Sequence, residues 1–301
     1  MLELPILLSS FRVTRPHYSS PAMLGEKLSS VGLLLALLLS FISHAIAASD
    51  SRYALVIGNS SYQYAASLNN PKNDSSDIAE ALKDIYFETT LLQEATKQQI
   101  EVAVNKFLTS LEEGGTGLFY YAGHGVQFQG DNYLVPVETN VGTEMEIKRQ
   151  SYNIANLLDG MRKIKTATNI IILDACRDNP FKNIAKAGTR SATKIGNRGF
   201  VKIIIPELDT GLSKLDAPPN TLIAFATAPG RVALDGEGRN SPYTAKLIES
   251  MQRTGLTIGQ VFRQVRAEVV NHSDGEQVPW ESSSLIQDFY FKPRASLPMG
   301  F

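Results

Sequence analysis

The sequence predicts one α/β domain, with a mostly parallel sheet and helices packed on both of its faces. Three observations carry this expectation. From Arg52 onward, short β-rich runs alternate with amphipathic helical patterns. The run NIIILDAC, Asn169 to Cys176, is apolar without alternation, as a central strand covered on both faces must be. The chain's 301 residues are 43% apolar, enough to bury a full core.

Taken in order, YALVIGN (Tyr53 to Asn59) reads as a buried strand. DSSDIAEALKDI (Asp74 to Ile85) reads as a helix, with Asp and Ser as capping candidates and Ile78, Ala81, Leu82 and Ile85 at helical spacing. A second strand over Thr89 to Leu92 and a helix over Lys97 to Leu111 follow. GLFYYAGHG (Gly117 to Gly125) is a strand ending in glycines, and FQGDNYLVP reads as a hairpin turning at Gly130-Asp131. A helix over Ile154 to Ile164 leads into the apolar strand ending at Cys176. TLIAFATAPG (Thr221 to Gly230) is a further strand, Pro242 to Met251 and Ile258 to Val270 are helices, and DFYF (Asp288 to Phe291) is the closing strand. His124 and Cys176 are thus both expected at the C-terminal ends of strands, where active-site crevices of parallel sheets form.

The N-terminal segment has a different character. VGLLLALLLSFI, Val31 to Ile42, is uninterrupted apolar sequence between Lys27 and the small-x-small run Ala45-Ile46-Ala47, which is the grammar of a signal peptide. Its apolar core is short for a membrane span, although an uncleaved anchor is the alternative. Met23 opens a leader of ordinary proportions and is the expected true start. Residues 1–48 are therefore set apart as a leader, and the chain is expected to be exported, periplasmic or secreted, or membrane-anchored through that segment. A formal charge of -1 gives no global field for nucleic acid or an acidic membrane.

An exported chain normally pairs its cysteines, yet Cys176 is the only one here. A single thiol in an oxidising compartment is either buried and inert or chemically employed. Peptide hydrolysis through sulfur needs a thiolate, a proton donor for the leaving amine and amide donors for the oxyanion. Cys176 and His124 each follow a strand, and Gly123 and Gly125 flank the histidine so that backbone can approach a substrate. Alone, His124 would read as a hydrogen-bonded loop histidine.

The joint pattern is more specific. YAGHG (Tyr121 to Gly125) and DACRDNP (Asp174 to Pro180) resemble the two catalytic signatures of the caspase, metacaspase and paracaspase clan, and are most similar to its bacterial branch. ATAPG (Ala226 to Gly230) resembles the segment lining the substrate cleft, and GRNSPYTAKLIESM and VPWESSSLIQDFYF fit the same resemblance, which spans roughly Arg52 to Lys292. It implies a caspase-like fold with a six-stranded sheet, divided into a large part (49–181), a basic linker (182–220) and a small part (221–301). It also implies Cys176 as nucleophile, His124 as general acid/base, and the amides of Gly125 and Cys176 as oxyanion donors. Ala226, Thr227, Ala228 and Pro229 would line the substrate cleft.

Specificity follows from charge. By the same resemblance Asp174, two residues before the nucleophile, and Asp74 are acidic residues of the primary pocket, which implies cleavage of protein or peptide substrates after Arg or Lys. The alternatives are a helix N-cap for Asp74 and a structural strand-end carboxylate for Asp174. Arg177 and Asp178 are assigned no catalytic role. Asp235 and Glu237 are either a calcium-binding pair or simply solvated; no other cofactor is expected. The linker carries Lys182, Lys186, Arg190, Lys194 and Arg198, targets for self-processing or merely solubilising charges, with Val201 to Ile205 a short strand inside it. Nothing in the sequence decides between monomer and dimer.

Two other functions compete with this one. A catalytically inactive scaffold of the same fold would ordinarily lack the His or the Cys. A nucleotide-binding module would need a glycine-rich phosphate loop after the first strand, where IGNSSY stands instead. Four histidines and one cysteine show no zinc-ligand spacing.

Overall fold

A computed structural model describes residues 51–140, 144–176, 212, 215–228 and 233–294, with nothing described of the Glu144 and Cys176 side chains. The leader, Met23, Arg177, Asp178, Lys182 to Arg198, Val201 to Ile205, Pro229 and Gly230 lie outside these residues, as does nearly all of the linker.

The sheet begins with strand β1 (Arg52–Gly58), followed by helix α1 (Pro71–Lys83), strand β2 (Glu88–Gln93) and helix α2 (Lys97–Ser110). Then come β3 (Thr116–Phe128), β4 (Asp131–Leu134), α3 (Glu144–Gln150), β5 (Tyr152–Asn153), α4 (Ile154–Lys163) and β6 (Thr168–Cys176). Strand β7 (Thr221–Phe225), α5 (Pro242–Met251), α6 (Ile258–His272) and β8 (Trp280–Ser283) close the described chain. The strand order is β2-β1-β3-β6-β7-β8, with β4 and β5 branching from β3. Every neighbour pair along that path is parallel except β7 and β8. The expected mostly parallel sheet is therefore observed, with six strands on its main path and β4 and β5 extending it to eight.

Alternation along the strands sorts the core into two layers. Val56, Leu118, Tyr120, Ile172 and Ala224 pack with Ile78, Leu82, Leu247 and Val265 of α1, α5 and α6. Leu55, Ile57, Phe119, Tyr121, Leu173 and Phe225 pack with Ile100, Val104, Leu157 and Met161 of α2 and α4. Both faces of the sheet are covered, which is why the central strands read as continuous apolar runs.

Several elements differ from the sequence expectation. Helix α1 starts at Pro71, whose missing N–H suits a first helical position, so Asn70 is the N-cap and Asp74 lies a full turn inside. The N-cap alternative for Asp74 is thereby excluded. Strand β3 does not end at its glycines: it runs on through His124 into an antiparallel hairpin with β4. That hairpin turns at Gln129-Gly130, one residue earlier than expected, with φ of 53° and 85°, the left-handed pair that two-residue turns require. The antiparallel closing strand is Trp280–Ser283, whereas Tyr290 makes only an isolated bridge to Thr257. Strand β7 stops at Phe225, short of the expected Gly230. Among the described residues, no helix is long and apolar enough to cross a membrane.

Candidate active site

Strands β3 and β6 are parallel neighbours, and their register sets Ala122 beside Asp174, Gly123 beside Ala175 and His124 beside Cys176. Adjacent strands lie about 4.8 Å apart, so the two backbone positions expected to carry the chemistry are immediate cross-strand partners. They stand at the C-terminal edge of the parallel sheet, where β3 leaves the ladder for its hairpin.

His124 is held on every side. Its ring Nε2 lies 2.7 Å from the Ala66 carbonyl, which can only accept, so Nε2 carries the proton and Nδ1 keeps its lone pair. Nδ1 is buried and has no hydrogen-bond partner among the described residues. The His124 backbone N–H donates to the Tyr62 hydroxyl at 2.7 Å, and the Tyr121 hydroxyl donates to the His124 carbonyl at 2.8 Å. The Tyr62 ring packs 4.4 Å from the imidazole. These hydroxyls explain Gly123: at its φ of +152°, a Cβ would sit 2.6 Å from the Tyr62 hydroxyl and 2.7 Å from that of Tyr121. His124 is 5% exposed, and burial lowers its pKa, with the Ala66 contact and Asp235 pulling the other way. Burial therefore favours the neutral imidazole. At Gly125 a Cβ would come within 3.0 Å of the Leu212 side chain and 3.2 Å of Ala175.

Two residues back along β6, acid accumulates. Asp174 is 8% exposed and Asp74 1%. Both aim at the N-terminus of α5, where the helix dipole and free amides favour negative charge. The Ser241 N–H donates to Asp74 at 3.0 Å, while the hydroxyls of Ser241 and Thr244 donate to one Asp174 oxygen at 2.5 and 2.8 Å. The Tyr120 hydroxyl continues that chain, 2.6 Å from Thr244. Burial, and then the charge of Asp174, push the Asp74 carboxyl well above the usual carboxylate range. Burial also raises Asp174, against the hydrogen bonds from Ser241 and Thr244.

A third carboxylate joins them. Asp235 accepts from the backbone N–H of Asn69 (2.7 Å) and Asn70 (3.2 Å), which turns it inward and corrects the reading of it as merely solvated. Asp74, Asp174 and Asp235 line one narrow cavity of about 10 Å³ together with Leu68, Pro71, Gly123, Ala233, Leu234 and Ser241. None of these described lining residues is basic. Sequence reading missed Asp235 as a pocket residue, because a lone acid in a glycine-rich loop does not announce its partners 165 and 166 residues away.

The expected cleft segment begins where β7 ends. Ala226 and Thr227 are buried, Ala228 is half-buried, and the Thr227 hydroxyl has no partner among the described residues. Ala226 is tied to β6 through its N–H, which donates to the Leu173 carbonyl at 3.0 Å. No group of three His, Cys, Asp or Glu side chains suited to a metal ion occurs among the described residues.

The caspase domain matches residues 51–290 of this chain. Human mucosa-associated lymphoid tissue lymphoma translocation protein 1 is 32% identical over 126 residues, which make up 42% of this chain and 15% of that protein. The Mus musculus homologue is 33% identical over 126 residues, with the same coverage, so the chain spans about 15% of the length of these curated relatives. Among solved structures, caspase-1 from Spodoptera frugiperda superposes with a TM-score of 0.56 at 16% identity, covering 82% of this chain and 92% of that one. A Geobacter sulfurreducens protein superposes with a TM-score of 0.53 at 15% identity, covering 80% and 98%. These two show the shared fold. With 240 consecutive residues matched, the chain belongs to the caspase domain family of cysteine peptidases.

Proposed function

We propose that this chain is an endopeptidase that cleaves protein or peptide substrates after Arg or Lys, with Cys176 as nucleophile and His124 as general acid/base. The observation that carries the basic specificity is the cavity with three carboxylates and no basic side chain in its described lining. A guanidinium or ammonium entering there meets charge-assisted acceptors, whereas an acidic side chain meets only repulsion. Because the unliganded cavity is narrow, entry displaces the loop that carries Asp235.

The dyad assignment rests on register and tautomer. Nδ1 of His124 takes the thiol proton of Cys176, and the thiolate attacks the scissile carbonyl carbon. The carbonyl oxygen becomes an oxyanion, stabilised by the amides of Gly125 and Cys176. Collapse breaks the C–N bond as the proton on Nδ1 passes to the departing amine, leaving an acyl-enzyme. Water, deprotonated at Nδ1, then attacks the thioester carbon; the C–S bond breaks, the acid leaves, and the Nδ1 proton returns to the Cys176 sulfur. Throughout, the Ala66 carbonyl holds Nε2–H, so the ring works at one nitrogen without rotating.

The test compares matched fluorogenic peptides ending in Arg, Lys or Asp before the scissile bond. Turnover of the Arg and Lys peptides with none of the Asp peptide is expected, and preference for Asp contradicts the assignment. Basic residues at 182, 186, 190, 194 and 198 make the linker a substrate for the same specificity. Intact-mass analysis should show wild type nicked there and Cys176→Ala uncut; identical masses for both contradict self-processing. The N-terminal apolar run supports export of the mature domain, and N-terminal sequencing of protein from the producing cell should begin near Ser49. A mature chain that keeps residues 1–48 contradicts leader cleavage.

A further inference from the structure

Helix α1 does more than supply Asp74. Asn70, Asp74 and Asp77 recur at i, i+4 and i+7, one face of a helix, and all three hold the single segment Asp235 to Ser241. At one end the Asn70 side-chain amide donates to the Asp235 carbonyl and, at 3.3 Å, to that of Gly236. At the other end of the segment the Ser241 N–H donates to Asp74 at 3.0 Å. Two residues before that end, Arg239 makes a fork on Asp77, Nε to one oxygen at 2.9 Å and Nη2 to the other at 2.8 Å. The Asn240 amide adds a third bond to Asp77 at 2.9 Å. Gly236, at the first of these ties, has φ +81°.

Asp77 differs from the pocket acids. It is paired with a cation and stands outside the cavity, and the Arg239 guanidinium holds its carboxyl below the usual range. Its partner reaches it across 162 residues, from the segment that delivers Asp235 and Ser241 to the pocket.

We propose that Asp77 and Arg239 are the positioning pair of the acid pocket: their bidentate ion pair pins the Asp235 to Ser241 segment onto α1, and so sets where Asp235 and the Ser241 amide stand relative to Asp74 and Asp174. The glycine-containing half of the segment yields to an entering side chain while the Arg239 end stays fixed. The pair touches no substrate and acts through the residues it holds. The inference rests on reading the cavity as the subsite for a basic side chain.

The test uses the full chain as wild type, Arg239→Gln, Arg239→Lys, Asp77→Asn and the double variant Asp77→Asn/Arg239→Gln. With an Arg peptide, Arg239→Gln and Asp77→Asn should each raise KM about three- to tenfold, with kcat within about twofold. Arg239→Lys, which keeps the charge without the fork, should fall between, and the double variant should be no worse than either single one. Alkylation of Cys176 by iodoacetamide, which needs no pocket, should keep its rate. The readout independent of activity is hydrogen exchange at the Ser241 amide, faster in Arg239→Gln than in wild type. Unchanged KM together with unchanged exchange overturns the pair's role. If wild type cleaves Asp peptides instead of Arg peptides, the subsite reading falls, while exchange at Ser241 still decides whether the pair pins the segment.

Discussion

The surroundings of His124 and the acid pocket stand two residues apart along the paired strands, and they treat charge in opposite ways. Around His124 the partners are a backbone carbonyl and two tyrosine hydroxyls, and burial lowers the imidazole pKa. Around Asp74 and Asp174, burial acts on acids with no cation in the described cavity lining, and their carboxyls are pushed up. The same desolvation keeps the base neutral, ready to take a proton, and leaves the pocket short of a positive charge. The first region is complete as it stands; in the proposed function, the second is completed by the basic side chain of a substrate.

The largest expected effects break the first region. Cys176→Ala or His124→Ala should lower kcat more than about a thousandfold, while a fluorescent peptide with a C-terminal arginine aldehyde still binds His124→Ala reversibly. Loss of binding along with turnover would mean that the two regions are not separable.

Next come the pocket acids. Asp174→Asn and Asp74→Asn should each lower kcat/KM on Arg peptides about a hundredfold or more, because an entering guanidinium loses a charged acceptor. Stability should move the other way. A carboxyl whose folded pKa lies above its unfolded value favours folding by its protonated form; that advantage is complete below the ordinary value of 3.8 and is lost as pH rises through the folded value. Wild type should therefore lose stability between acid and mildly alkaline pH. Asp74→Asn, whose amide oxygen still accepts from Ser241, should lose less, and each ~1 kcal/mol of difference corresponds to about 2–4 °C in Tm near pH 8. Equal pH dependence of the two Tm curves would place no strain in the pocket. For the same reason KM on Arg peptides should fall as pH rises through the raised carboxyl pKa values.

The smallest effect belongs to Tyr62. Tyr62→Phe removes the acceptor of the His124 N–H but keeps the ring against the imidazole, so kcat should fall about three- to tenfold with KM unchanged. A shift in KM instead would assign Tyr62 to the pocket.

Much of this was legible in the sequence, and unevenly so. The positions of His124 and Cys176 on neighbouring strands followed from two apolar runs that each ended in a distinctive motif. Asp174 could be expected because the resemblance to metacaspases and paracaspases implies an acidic pocket residue two positions before the nucleophile. The hairpin register slipped by one residue because Gly130-Asp131 is itself a common turn pair; only the left-handed backbone of Gln129 distinguishes the two. The closing strand was misplaced because DFYF has the aromatic content of a strand, while WESS, polar and half-exposed at the sheet edge, does not. Asp235 and the fork between Asp77 and Arg239 were invisible because both contacts join segments more than 160 residues apart. Long-range pairing of this kind leaves no local pattern.

The most direct measurement compares kcat/KM for two peptides identical except for Arg or citrulline before the scissile bond. Citrulline keeps the length and planarity of arginine and removes its charge. If the three carboxylates await a cation, the Arg peptide should be cleaved at least about a hundredfold more efficiently. Equal cleavage of both would contradict the account, because the pocket would then be reading shape alone.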